Sequence, residues 1–132
     1  MTFRQSEYLE NKLSARWLDA SRAKHAYDYA LQFSAKHRYG LNEATVAGIE
    51  HIDMTSYAVA DAWLKDRVSA EGTVQVVYGD DEVCILPAAE FIAKWQDIFL
   101  PARDDAIVLH NAGPGVLFYC HEEELEFGLR KT

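Results

Sequence analysis

Helical periodicity before residue 70 and strand periodicity after it predict an α+β domain. The expected order is N-terminal helices, then a four- to five-stranded antiparallel sheet with one inserted helix, ββαβββ. Chain breakers make the same division, because all three prolines and five of the seven glycines follow residue 70. With 132 residues, 49% hydrophobic and 26% charged, the chain has the composition of one globular domain. That single domain is expected to span 1–132, with residues 1–70 helical and residues 71–132 forming the sheet. A chain of this length buries about two-thirds of its unfolded surface and folds without a metal or disulfide.

The elements follow in order. Leu9, Leu13 and Trp17 share one face of a short helix expected over Ser6–Leu18. Ala23, Ala26, Tyr27, Ala30, Leu31 and Ser34 form the apolar stripe of a second helix over Ser21–Arg38, stopped by Gly40. Asn42–Val68 is expected to be helical as well, weakened at Gly48 and restarted near Asp53 or Thr55. Its best stripe is Val59, Ala60, Trp63 and Leu64, and Gly72 supplies a stop. Thr73–Tyr78 and Glu82–Leu86 then read as a hairpin around the turn Gly79-Asp80-Asp81. Pro87 suits the first turn of a helix, where a missing N–H costs nothing. Phe91, Ile92, Trp95, Ile98 and Phe99 form that helix's apolar face, and Pro101 ends it. Ala106–His110 and Val116–Cys120 are strands around Asn111–Gly115. In the last strand Leu125, Phe127 and Leu129 alternate with Glu126, Gly128 and Arg130. Such an antiparallel sheet is expected to be covered on one face.

The formal net charge is −8, and it is unevenly placed. Residues 1–70 carry nine basic and nine acidic side chains, whereas residues 71–132 carry four and twelve. A negative field repels phosphate backbones and anionic lipid and speeds encounter with cationic proteins. Direct nucleic-acid and membrane partners are therefore not expected, although solubility alone accounts for an acidic chain equally well. No apolar stretch approaches the ~18 residues of a membrane span. The first residues lack the apolar core of a signal peptide, so a cytoplasmic protein with reduced Cys84 and Cys120 is expected.

Catalytic motifs are sparse. His121-x-Glu123 opens the zinc deaminase signature, but the P-C-x-x-C that should follow is absent. Cys120 and His121 are sequence neighbours, which in a strand point to opposite faces, so Cys120 is expected to be a buried small hydrophobe. His25, His37, His51, His110 and His121 show no metalloprotease spacing, and His51 with Asp53 falls short of the three or four ligands zinc needs. Gly113-Pro114-Gly115 reads as a turn, since proline removes an N–H that an anion cradle would use. No metal, cofactor or catalytic residue is expected. The carboxylates lie instead at strand ends: Asp80, Asp81 and Glu82; Asp104 and Asp105; Glu122, Glu123 and Glu124. An antiparallel meander gathers alternate turns at one end. These groups therefore either converge into one anionic rim or remain separate solvated turns.

The run Phe91-Ile92-Ala93-Lys94-Trp95-Gln96-Asp97-Ile98-Phe99, then Asp104-Asp105, then Leu117–Gly128 with its acidic turn and Glu126-Phe127-Gly128, carries a likeness. Over residues 91–130 it resembles small bacterial immunity proteins of contact-dependent and related polymorphic toxin systems. The resemblance implies an acidic cytosolic inhibitor that binds a basic toxin or nuclease domain without catalysis. Asp80, Asp81, Glu82, Glu122, Glu123 and Glu124 would then pair with the toxin's cations, with Tyr78 and Tyr119, which stand next to the turns and could equally belong to the core, as aromatic contacts. The alternatives are a small hydrolase or transferase using His110 or His121 beside an acid, or a structural assembly subunit.

Overall fold

A computed structural model describes residues 2–131 and shows an α+β architecture; Met1 and Thr132 of the expected domain lie outside the described residues. Among the described residues there are four helices and seven strands. The first half contributes α1 (Phe3–Glu10), β1 (Arg16–Trp17), α2 (Ala20–Leu31), β2 (Val46–Asp53) and α3 (Tyr57–Arg67). The second half contributes β3 (Thr73–Gly79), β4 (Glu82–Pro87), α4 (Ala88–Ile98), β5 (Ala106–His110), β6 (Gly115–Cys120) and β7 (Glu124–Arg130). All strands join one antiparallel sheet in the order β1-β4-β3-β5-β6-β7-β2. The sheet is thus wider than the four or five strands expected, and both additional strands come from the half read as helical.

The first correction lies at residues 46–53, which pair with β7 as an edge strand instead of forming a helix. Val46, Ile49 and Ile52 recur every third residue, which imitates helical spacing. For Val46 and Ile49, which face the α2 side together, the cause is a β-bulge, whereas Ile52 faces the other side of the sheet. Gly48 and Ile49 together oppose Gly128, and Gly48 adopts φ +63°. The second correction concerns the first helix, which ends at Glu10. Lys12 turns the chain at φ +58°, and Arg16–Trp17 then add to β4. Tyr8 is accordingly this helix's core residue, whereas Leu9 is exposed. Helix α2 stops at Leu31, seven residues early. Thr45 Oγ1 and Asn42 Nδ2 take the Gln32 carbonyl, and the Asn42 N–H takes that of Phe33.

Strand alternation distributes two cores. Val74 and Val76, Cys84 and Leu86, Ala106 and Val108, and Leu117 and Tyr119 face α1, α3 and α4. Val77, Val83, Ile107 and Leu109, with Val116 and Phe118, face α2 and the Phe33–Leu41 segment. Both faces are therefore covered, not one, and β6 is buried at every position. Helix α2 could form the second layer because Ala23 and Ala30 let it lie close against the sheet. On the other layer, Phe91, Trp95 and Ile98 of α4 are buried. The Trp95 indole N–H donates to Asp61 of α3 at 2.9 Å, which satisfies a polar atom that burial would otherwise orphan.

Candidate functional site

Register decides where the acidic turns lie. Val77 of β3 pairs with Ile107 of β5, Ala106 pairs with Tyr119 of β6, and Asp53 of β2 pairs with Glu124 of β7. The β3–β4 turn, the start of β5, the β6–β7 turn and the end of β2 therefore share one end of the sheet. Asp53, Asp80, Asp81, Asp105, Glu122, Glu123 and Glu124 all project from that end. The centres of the two turns stand three strand spacings apart, roughly 14 Å.

These groups differ in how far they are already committed. Asp80 and Asp81 are exposed and make no ion pair or side-chain hydrogen bond among the described residues. Glu123 sits at φ +61° in its turn, and its carbonyl accepts the Met54 N–H at 2.8 Å, tying the turn to the end of β2. Glu82 is different, because Arg4 and Thr2 hold its carboxylate within the fold. It is a structural group and not a surface acid available to a partner. Asp104 is 1% exposed and accepts bonds from Arg4, Arg103 and the Leu100 N–H. Burial alone would raise its pKa. The bonds from Arg103, Leu100 and Arg4 outweigh that and hold it below the ordinary carboxylate range.

Of the two readings open for Tyr78 and Tyr119 the structure shows the core one, with Tyr119 buried and Tyr78 partly buried against the same cluster. Tyr119 is 2% exposed and stacks on Phe99 with ring centroids 4.6 Å apart. Tyr78 lies among Tyr8, Trp17 and Phe99, its hydroxyl is 2.6 Å from that of Tyr8, and the Arg4 guanidinium covers its ring at 3.9 Å. Strand parity explains both, since each points to the α4 face. The exposed aromatics at the acidic end are Tyr39, 4.8 Å edge-on to His121, and Tyr57 at the start of α3. Tyr57 belongs to a stretch read as helical and Tyr39 to the stop after the expected second helix, so nothing in their spacing marked them as neighbours of the turns.

Beside the acidic end, between α2 and the sheet, lies a cleft of about 190 Å³. Tyr27, Leu31 and Tyr39 wall it on one side, Ile107 and Phe118 on the other, and Asp105 lines it with a carboxylate. It is smaller than the ~300–1,000 Å³ of small-molecule sites, and suits a single side chain.

His121 completes this region. Asp105 Oδ1 lies 2.9 Å from His121 Nδ1 and accepts the His121 backbone N–H at 2.9 Å. The hydrogen bond to Asp105 raises the imidazole pKa. The thiol of Cys120 stands within 4.8 Å of both groups, against the expectation that sequence neighbours diverge. His121 lies just past the end of β6, where alternation no longer applies. Burial, then the carboxylates of Asp105, Glu124 and Glu122, raise the Cys120 pKa against the Glu122 N–H, so the group is a thiol and a poor nucleophile. His110 has only the Glu71 backbone carbonyl at 2.8 Å and no carboxylate partner among the described residues.

Farther along this end, His51 bridges Asp53 and Glu126, each at 3.0 Å. Glu126 is 5% exposed and also accepts from Arg38 and the Leu41 N–H. Groups able to ligate an ion within 4.8 Å of one another are Asp105, Cys120 and His121; Cys120, Glu122 and Glu124; and His51, Asp53 and Glu124. No protein-family model, curated protein or solved structure matches this chain. No described helix is long and apolar enough to cross a membrane.

Proposed function

We propose that the protein is a binding inhibitor of the immunity type, which captures a basic toxin domain through the acidic end of its sheet. The observation that carries the reading is the gathering of both acidic turns at one end, where Asp80, Asp81 and Glu123 have no internal cation partner among the described residues. Unpaired carboxylates so grouped attract a cationic surface and raise its encounter rate. Tyr39 and Tyr57 replace Tyr78 and Tyr119 as the aromatic contacts, because they are 58% and 51% exposed. The cleft lined by Asp105, Tyr27 and Tyr39 fits a lysine or arginine side chain of the partner, with apolar walls for its stem. Inhibition follows by occlusion, as the acidic end covers the basic cleft that binds the toxin's own anionic substrate.

An enzymatic reading draws on the His121–Asp105 pair. A raised imidazole pKa, a protonated thiol and a side-chain-sized cleft give it less to work with than binding has.

The test is a pull-down from the source organism with tagged protein as bait and elution in rising salt. A stoichiometric basic partner, released only at high salt and inhibited at equimolar ratio when purified, is the expected result. No partner at low salt, or a partner whose activity is untouched by the protein, overturns the reading.

A further inference from the structure

The geometry points to a zinc-type divalent metal site on the β6–β7 turn, with Asp105, Cys120 and His121 as ligands and Glu122 as the fourth group at hand. The inference needs no partner protein, although Asp105 and Glu122 also belong to the acidic end of the inhibitor reading.

Three features carry it. Donor chemistry comes first. One carboxylate oxygen, one sulfur and one imidazole nitrogen lie within 4.8 Å of one another, and Glu122 Oε1 is 3.9 Å from His121 Nε2. A thiolate, an imidazole and a carboxylate are the donor types that borderline-soft Zn²⁺ takes. Bonds of ~2.0–2.3 Å in a tetrahedron put donors about 3.5 Å apart, so the His121–Asp105 pair, now 2.9 Å apart, opens slightly while wider pairs close.

The sulfur is also held as a ligand sulfur is held. The Glu122 N–H donates to Cys120 Sγ at 3.5 Å, and the Glu123 N–H donates to the Cys120 carbonyl at 3.0 Å. The turn thereby wraps the sulfur and aims an amide at it, an outer-shell bond that favours the thiolate. Cys120 is the only ligand supplied by the buried strand, and it fixes the site to a rigid element.

Third, the site has an entry path. Cys120 is 2% exposed, whereas the side chains of Asp105, His121 and Glu122 are 39%, 30% and 64% exposed. An ion reaches the inner sulfur past three outer groups that can close over it. Without a cation the thiol shares its surroundings with Asp105, Glu122 and Glu124, and a divalent charge turns that repulsion into attraction. On binding, the Cys120 S–H proton leaves to solvent and the sulfur–metal bond takes its place. The hydrogen bond from His121 Nδ1–H to Asp105 breaks, the Nδ1 proton passing to Nε2 of a neutral ring or to solvent from an imidazolium, and a bond from each group to the ion takes its place.

Chelator-treated protein is titrated with Zn²⁺ by calorimetry and with Co²⁺ by absorption spectroscopy. One equivalent of metal, with a thiolate-to-cobalt charge-transfer band in the near ultraviolet, is expected. Cys120→Ser removes the band, Cys84→Ser retains it, and His121→Gln weakens Zn²⁺ binding by more than about tenfold. His121 lies in an exposed turn, so its variant reports on the site even where Cys120→Ser disturbs the core; circular dichroism checks that it is folded. Absence of the band in wild-type protein overturns the assignment. So does wild-type affinity in His121→Gln, which reduces the patch to carboxylates gathering cations without a defined site.

Discussion

Asp104 shows how much of this fold rests on single charges. Its carboxylate is 1% exposed and holds Arg4, Arg103 and the Leu100 N–H. Arg4 in turn lies over Tyr78 and binds Glu82, so the arginine that Asp104 holds also fastens helix α1 to the hairpin. Asp104→Ala leaves the Arg4 guanidinium half-buried without its main partner, and breaking such a pair costs about 3 kcal/mol. Urea unfolding at neutral pH should show that loss as a lower midpoint with an unchanged slope. The pH dependence has a defined sign. A folded pKa held below the unfolded value of ~3.9 contributes stability above that pH, and the contribution is lost as pH falls through the folded value. The acid limb of a Tm–pH curve should therefore be shallower in Asp104→Ala. His51 has the opposite sign. The Asp53 bond raises its pKa most, burial opposes that, and the Glu126 bond with the Glu126 and Glu124 charges adds to the rise. Its stabilisation is complete below the unfolded value of ~6.5 and disappears as pH rises through the folded one. Wild-type Tm should fall across that window more steeply than the Tm of His51→Gln, and parallel curves would remove His51 from the account.

At the scale of elements, β2 is the informative strand. It pairs only with β7, and the pairing depends on Gly128, where an added Cβ would stand 2.5 Å from Val46 Cγ1 and 2.9 Å from the Ala47 carbonyl. Gly128→Ala should cost about 1–3 kcal/mol. Hydrogen exchange should show protection lost over residues 46–53 while β3, β5 and β6 keep theirs; uniform loss would mean that β2 is not a separable unit. The same strand explains where sequence reading failed. Strands β3 to β7 and helix α4 announced themselves, because their alternation, turn residues and prolines are local signals. In β2 the bulge at Gly48 inserts one residue and puts Val46 and Ile49 on one face at helical spacing, with Ile52 three further on but on the opposite face. Strand β1 has two residues, too few for any period, and exists because the edge of β4 receives it. Glu126 looked like a solvated position in an alternating strand, yet it is buried because α2 and the Arg38 segment cover that face. At the candidate site, the acidic residues were legible as turn chemistry. Their exposure was not: Glu82 is absorbed by Arg4, and Tyr78 and Tyr119 by the α4 core. Tyr39, Tyr57 and the Cys120–His121–Asp105 cluster depend on tertiary placement, which no spacing in the chain encodes.

For the whole molecule, the consequential feature is polarity of position, not the charge of −8 itself. The second half brings the entire excess of acid, and antiparallel register sorts much of that excess to one end. At physiological ionic strength the Debye length is ~8 Å, so a charge acts on an approaching partner only near its own surface. A binding partner therefore senses Asp80, Asp81, Glu122 and Glu123 as a patch, and acids at the far end hardly at all. Glu71 supplies the contrast, since it lies at the opposite end, where Gly72 meets Ala112 and the Glu71 carbonyl meets His110. If the acidic end captures a basic domain, lysine substitutions at Asp80 and Asp81, or at Glu122 and Glu123, should slow association at least about tenfold at low salt and flatten its salt dependence. Dissociation should change less, because the tyrosines and the cleft contribute contacts that these charges do not make. Glu71→Lys, with half the charge change of either pair, gives the per-residue effect of altering net charge alone. Association rates measured against the captured partner, across a salt series, decide the point. An effect of Glu71→Lys equal per residue to that of the turn variants would make net charge the cause and dissolve the acidic end as a docking surface.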